Sequence, residues 1–266
     1  MKPHMRGFVL LICSAGLVHA QVHEPQAGIV RYADGSVHPV YGVPGSFIVG
    51  PAWSTSAIAI SFSDQAGLVA EAGAIRLLSA SGAEIGRYAT DETAPVLSVE
   101  GEAQSAIAWL PKRQAIIRWN GTSFNGFVLP AGSISGSVSS LSALGKNEAE
   151  LLVFENGAAA RIMISLGEES AIRSMDAVPG ATGPALGFGS LLFFRDAEGV
   201  TLESPNGLRR TLPVPNDVAA ERMSSHWLHL QSRATKQDWV LHLDAAHPEL
   251  LLLPGILPTS VQEVSR

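Results

Sequence analysis

Turn dipeptides of one kind recur along this chain between short apolar segments. Asp34-Gly35, Asn120-Gly121, Asn156-Gly157 and Asn206-Gly207 are pairs that a tight type I′ turn favours, because both central residues need a positive φ, and Ser81-Gly82 is a weaker version. Between the turns, apolar residues occur in short runs that often alternate with small or polar residues, and no strong helical periodicity is present. The sequence therefore predicts an all-β chain of antiparallel hairpins.

The spacing of these turns predicts a repeating unit. The turns at 34, 81, 120, 156 and 206 lie 47, 39, 36 and 50 residues apart, and a period of about 40 to 45 residues with four short strands is typical of a β-propeller blade. We expect about six four-stranded blades, with five as the alternative count and a pair of β-sandwiches as the alternative fold. The inner strands are predicted to begin near Ala57, Val96, Ile134, Ile172 and Ser225.

The chain ends supply the predicted closing blade. The hairpin 28–41 lies ahead of the first inner strand, and we expect it to pair with C-terminal strands around 239–253. The ring would then be closed by N- and C-terminal strands, an arrangement that removes exposed sheet edges.

Residues 56–89 contain the clearest unit. Ser61-Phe62-Ser63-Asp64 ends its first strand, and Ile75-Arg76-Leu77 lies in its third. The unit resembles a WD40-like repeat of the degenerate kind found in secreted bacterial β-propellers, although it has no Trp-Asp pair. The resemblance implies the propeller architecture and no particular activity.

The first twenty residues have the layout of a secretory signal peptide. Lys2 and Arg6 precede an apolar run at 7–18, and Val18-His19-Ala20 provides a cleavage site. We expect residues 1–20 to be removed, residues 21–266 to form a single propeller domain, and the protein to be exported to the periplasm or the extracellular space. No later segment approaches the roughly 18 uninterrupted apolar residues of a membrane span.

Composition excludes several function classes. A chain with 46% hydrophobic and 16% charged residues is too apolar to be disordered. Its net charge of −6 becomes −8 without Lys2 and Arg6, because 16 basic residues then face 24 acidic ones, so binding to nucleic acid is not expected. Loss of Cys13, the one cysteine, excludes a disulfide or a Cys-rich zinc site. We expect a monomer.

Motifs for catalysis are missing from the sequence. It contains no Gly-x-Ser-x-Gly elbow, His-Glu-x-x-His pair, phosphate loop or EF-hand loop. The Gly-rich stretch 180–189 is interpreted as loop and bulge glycines, and the pairs Glu100/Glu102 and Glu148/Glu150 as solvated turn residues. The sequence therefore predicts no catalytic residue and no cofactor.

Histidines and tryptophans cluster in the last unit. If 226–231 pairs with 238–243, His229 faces residue 240 and shares a sheet face with His242. Trp227, His229, Trp239 and His242 are therefore the candidate ligand- or partner-binding residues. No carboxylate completes a ligand set, so no metal site is predicted.

These features predict a non-catalytic exported propeller that binds a protein partner or a small ligand. Two alternatives stay open at this stage. The first is a hydrolase or lyase with its site at the channel mouth. The second is metal or ligand binding through the His-rich last unit.

Overall fold

The computed structural model describes residues 25–243 and 248–255, so the predicted signal peptide at 1–20 lies outside the described residues. Within them, 23 strands form six antiparallel sheets, and two short 3₁₀ turns lie at Ala103–Ser105 and Pro111–Arg113. No helix in this part of the chain is long and apolar enough to cross a membrane. The prediction of an all-β propeller with six blades is confirmed.

Each blade is a meander of consecutive strands, and five of the six have four strands. Blade 1 contains β1 (Gln26–Arg31), β2 (Val37–Val43) and β3 (Ser46–Val49). Blade 2 contains β4 (Ala59–Phe62), β5 (Ala66–Glu71), β6 (Ala74–Ser79) and β7 (Glu84–Ala89). Blade 3 contains β8 (Val96–Ser98), β9 (Ile107–Leu110), β10 (Ala115–Trp119) and β11 (Phe124–Val128).

The second half of the ring follows the same order. Blade 4 contains β12 (Ser137–Ala143), β13 (Glu148–Glu155), β14 (Ala158–Ser165) and β15 (Ala171–Ala177). Blade 5 contains β16 (Ala185–Phe188), β17 (Leu191–Arg195), β18 (Val200–Glu203) and β19 (Arg209–Leu212). Blade 6 contains β20 (Val218–Arg222), β21 (Trp227–Ser232), β22 (Asp238–His242) and β23 (Glu249–Leu252).

Two of the predicted inner strands are wrong. Ile172 lies in β15, the outermost strand of blade 4, and Ser225 lies in the turn after β20. The true inner strands of blades 5 and 6 are β16 and β20. The sequence pattern does not reveal these two strands, because both are short and carry the small residues Gly187, Ala219 and Ala220. Such residues suit a crowded channel but give no hydrophobic pattern.

The channel along the ring axis is lined by the first strands of blades 2 to 6, namely β4, β8, β12, β16 and β20. Within the described chain, blade 1 contributes nothing to this lining. Ile29 N donates to Met223 O at 2.9 Å and Arg31 pairs with Glu221, so β1 runs antiparallel to β20, as the second strand β21 does. β1 therefore occupies the position of a second strand, and the six blades enclose a channel lined by five of the described strands.

Serines join neighbouring inner strands, which belong to different sheets. Ser61 Oγ in blade 2 accepts from Val99 N in blade 3 at 3.1 Å, and Ser140 Oγ in blade 4 accepts from Gly187 N in blade 5 at 3.0 Å. Buried backbone N–H groups at a sheet edge need a partner, and here a hydroxyl of the next blade provides it. The Ser-rich inner strands thus hold adjacent blades in register.

The ring closes where blade 1 meets blade 6, a contact called the seam below. Val30, Tyr32 and Phe47 of blade 1 pack in one cluster with Met223 and Trp227 of blade 6. N- and C-terminal strands therefore do close the ring. The hairpin 28–41, however, pairs with β3 rather than with strands of 239–253, because β22 and β23 already complete blade 6.

The lack of a side chain at Gly28 allows β1 to approach Met223 closely at the seam. A Cβ placed on Gly28 would collide with the Met223 carbonyl oxygen, which already accepts the bond from Ile29 N. We predict that Gly28→Ala lowers the free energy of unfolding by about 1–3 kcal/mol, the usual cost of overpacking.

Urea unfolding of the purified variant measures this loss, and Gly126→Ala is the matched control. Gly126 lies in the outermost strand β11 with open space around it, so its variant should stay within about 0.5 kcal/mol of the native protein. Equal midpoints for the two variants would contradict the described seam.

Candidate functional site

The back mouth of the channel is the end at which the inner strands finish, and an ion pair crosses it. Arg222 Nη2, at the end of β20, donates to Glu100 Oε1 at 3.0 Å, and Glu100 follows β8 in blade 3, opposite blade 6 in the ring. Ser142 Oγ donates to the same oxygen at 3.2 Å. Arg222 also donates to Gly187 O at 3.3 Å and lies 4.1 Å above the Phe188 ring. Groups from four blades therefore close this end.

Glu150 adds a second carboxylate to the back mouth. It lies opposite Ser142 in the β12–β13 pair and forms an ion pair with Arg161 at 3.1 Å. Burial raises the pKa of the Glu150 carboxyl, the charge of Glu100 raises it further, and Arg161 opposes the change. The interpretation of Glu100 and Glu150 as solvated turn residues is wrong, because both are partly buried and ion-paired.

The front mouth, at which the inner strands begin, holds a cavity of about 480 Å³. It opens among blades 4, 5 and 6 and is lined by the starts of β12, β16 and β20. Leu186, Phe193 and Val200 are among its apolar lining residues, and Arg195 and Arg233 are basic lining residues from blades 5 and 6. A cavity of this size and mixed lining is suited to a small ligand.

Among the described residues, Asp217 is the one carboxylate in that lining, and it already accepts hydrogen bonds from the protein. Its oxygens accept from Ala234 N at 2.6 Å and from Ser232 Oγ at 3.0 Å, which fixes the turn between β21 and β22. The backbone N–H of Ala234 holds the pKa of Asp217 below its ordinary value. Asp217 is thus an ionised turn-capping group.

The four residues nominated from the sequence lie in blade 6, and none lines either the front cavity or the channel. Trp227 and His242 are directly opposite each other with stacked rings 4.4 Å apart. His229 is paired with Val240, as the sequence predicts. Its side chain lies on the same sheet face as Trp227 and His242, and this face points to the seam. Trp239 packs on the other face, toward blade 5. Their role in ligand binding stays a prediction.

His229 takes part in a polar contact inside the seam. Its Nε2 lies 2.8 Å from Asp238 Oδ1, and both side chains are at least nine-tenths buried. Gln231 Nε2 donates to the same oxygen at 2.8 Å, and the Tyr32 ring of blade 1 lies 6.3 Å from the imidazole. Burial raises the pKa of the Tyr32 hydroxyl, and the Asp238 charge raises it further. The pair is therefore buried on the face of blade 6 that meets blade 1.

Metal ligation finds no geometric support in the part of the chain that the structure describes. Residues 25–243 and 248–255 contain no group of three or more His, Cys, Asp or Glu side chains that could hold an ion. His247, part of the His-rich unit, lies outside the described residues.

Sequence reasoning missed Arg195, Arg233 and the Arg222–Glu100 pair. Arg222 and Glu100 are 122 residues apart, so no local pattern links them. The glycines at 180–189 were the available signal for the front cavity, because Gly183 lies against the Arg195 side chain.

Comparison of the sequence with protein-family models found no match, and neither did comparison with curated proteins. Among solved structures, the fucose-specific lectin from Aleuria aurantia is similar over 87% of this chain and 92% of its own, at 9% identity and a TM-score of 0.47. PorZ of the Porphyromonas gingivalis type-IX secretion system is similar over 88% of this chain and 39% of its own, at 12% identity and a TM-score of 0.45. Kluyveromyces lactis Hsv2p is similar over 82% of this chain and 79% of its own, at 10% identity and a TM-score of 0.41. These values carry no functional inference.

Removal of the Asp238 carboxylate should weaken the seam. Asp238→Ala leaves the buried His229 donor and the partly buried Gln231 donor without their acceptor, and we predict a loss of about 1–3 kcal/mol in the free energy of unfolding. Urea denaturation measures it. Asp176→Ala, at an exposed carboxylate in β15, is the control and should change stability by less than about 0.5 kcal/mol. A similar loss in both variants would refute the assignment.

Glu150 should make stability depend on pH. Its pKa is raised in the folded state, so the folded protein holds the proton more tightly, and ionisation weakens the fold as pH rises above roughly 4.3, the unfolded-state value. Glu150→Gln cannot ionise. Its stability relative to the native protein should therefore increase between pH 4 and pH 7, as followed by urea midpoints.

Glu148→Gln is the control for that series, because Glu148 lies on the same strand β13 but is exposed. Its difference from the native protein should stay constant over the same pH range. A difference for Glu150→Gln that shrinks with rising pH would contradict the prediction.

Proposed function

We propose that this chain is an exported, non-catalytic β-propeller scaffold whose ligand occupies the front cavity. The proposal of export is supported by the signal-like layout of Met1–Ala20. The proposal of binding is supported by the front cavity and by the state of the channel behind it.

One observation carries this function: the channel is open at the front and crossed by bonded side chains at the back. The front cavity of about 480 Å³ leads toward a channel space of about 170 Å³. Beyond that space, the Arg222–Glu100 pair spans the back mouth from blade 6 to blade 3. A ligand that enters from the front meets a closed end, which suits retention rather than passage.

We propose a non-catalytic role because the Asp217 carboxylate, which lines the front cavity, is held by hydrogen bonds to a neighbouring turn. A general acid or base needs an accessible proton site within hydrogen-bond reach of the substrate. Asp217 has its oxygens engaged by the turn at 232–234. The described residues of the front cavity therefore offer groups for binding but no acid–base pair.

A hydrolase or lyase is the second candidate, and one observation favours it. Glu100 and Glu150 lie near enough at the back mouth for one charge to raise the other's pKa, which is an arrangement that acid–base enzymes use. Each is nevertheless paired with an arginine, Glu100 with Arg222 and Glu150 with Arg161. Ion-paired carboxylates of this kind fit a structural role better.

Blocking the front cavity should abolish ligand binding without unfolding the protein. Ser137 is exposed at the cavity rim, so Ser137→Trp can fill the cavity at little cost to the core. A thermal-shift panel of millimolar monosaccharides, hexuronates, amino acids and aryl acids supplies the probes. We predict that at least one compound raises the Tm of the native protein and leaves that of Ser137→Trp unchanged, because stabilisation follows ligand occupancy.

Ser56→Trp is the control, since Ser56 is exposed between blades 1 and 2 and outside the cavity lining. It should respond to the same compound as the native protein does. Stabilisation that survives Ser137→Trp would place the binding site elsewhere, and turnover of a panel compound would support the enzyme candidate.

A further inference from the structure

The front cavity concentrates positive charge in a protein of net negative charge. Arg195 ends β17 in blade 5, and Arg233 lies in the β21–β22 turn of blade 6, so the two guanidinium groups come from adjacent blades. Within the described chain, no carboxylate lies within ion-pair distance of either arginine. The front cavity is therefore lined by two positively charged side chains that form no ion pair within the described residues.

Asp217 does not cancel this charge by direct pairing. Its two oxygens are taken by Ser232 Oγ and Ala234 N, donors of the turn that carries Arg233. The carboxylate thereby fixes the backbone on which Arg233 stands, and its hydrogen-bonding capacity is directed at the turn rather than at the cavity. Two guanidinium groups against one engaged carboxylate leave the cavity with a positive excess.

Arg195 is held in place before any ligand arrives. Its Nη2 donates to Thr182 O at 3.3 Å, while Thr182 N donates to Arg195 O at 2.8 Å. Gly183 allows the stem of the arginine to lie against this loop, because a Cβ there would come within 3.1 Å of Arg195 Nε. A guanidinium held in this way loses less entropy when it binds an anion, which favours affinity.

The remaining wall is largely apolar. Phe193, Leu186 and Val200 line the same cavity as the two arginines, together with Pro184 and Ala220. An anion without a carbon body would leave this surface in contact with water. A carbon body would cover it and gain the free energy of apolar burial.

We propose that the front cavity binds a small organic anion, with its carboxylate or phosphate group between Arg195 and Arg233 and its apolar body against Phe193. This inference rests on the proposed function, since it names the ligand class for the same cavity. Arginine is the side chain best suited to such groups, because its planar donors match carboxylate and phosphate oxygens in pairs.

Three aryl probes separate charge from shape, each titrated calorimetrically into the native protein: benzoate and neutral benzamide have nearly the same shape, and phenyl phosphate places a more highly charged group on the same ring. We expect phenyl phosphate to bind most tightly and benzamide most weakly, with the affinity of the anions falling as NaCl is raised. Arg195→Gln and Arg233→Gln should each weaken phenyl phosphate binding by roughly tenfold, equivalent to about 1.4 kcal/mol. Arg195→Lys and Arg233→Lys should recover part of that loss.

Arg173→Gln is the matched control, because Arg173 is an exposed arginine on the outermost strand β15, far from the cavity lining. It should bind phenyl phosphate as the native protein does. Melting temperatures of all variants establish that each is folded.

Two results would overturn the inference. Benzamide could bind as tightly as the anions, with binding of both lost in Ser137→Trp. The cavity would then bind ligands regardless of their charge, so the proposed function would be supported and the anion class refuted. Anion binding that is equally reduced in Arg173→Gln would show a general charge effect. If none of the three probes binds the native protein at millimolar concentration, the anion class is also refuted, and the wider panel then decides the proposed function by itself.

Discussion

The packing of the first blade against the last is the constraint on which the rest of this structure depends. Propeller blades bury both faces only when every blade has two neighbours, so the first blade must meet the last. Here the described contacts include the apolar cluster around Val30 and Trp227, the Arg31–Glu221 ion pair, the Ile29–Met223 hydrogen bond and the Tyr32 ring beside the His229 imidazole. The channel and the front cavity exist because this seam holds blade 6 in place.

The offset position of blade 1 shapes the channel. Since β1 stands where other blades have their second strand, β4 and β20 contact each other directly, and five of the described strands line the axis. Fewer strands make a narrower channel, in which small and hydroxyl side chains fit. The same narrowness lets Arg222 reach Glu100 on the opposite side, and it leaves the front mouth as the roomier end.

Local patterns made the fold predictable, and distant contacts did not. Asn156-Gly157 forms the β13–β14 turn with positive φ at both residues, and the facing of His229 with Val240 follows from one hairpin. The inner strands of blades 5 and 6 escaped detection because packing around the axis, rather than hydrophobic alternation, selects their residues. The candidate site could not be predicted from the sequence because it joins segments from different blades. Arg195 and Arg233 are neighbours only after blades 5 and 6 stand side by side.

Each blade consists of one uninterrupted stretch of chain, from β1–β3 through to β20–β23. Propellers that close by a shared strand divide one blade between the two termini, which ties the number of units to the position of the chain ends. In this protein no blade is divided in that way among the described strands. A single internal duplication or deletion in the gene could therefore add or remove one of the four-stranded blades 2 to 6 without separating the strands of the others, so the number of such units can change by recombination at the loops between blades.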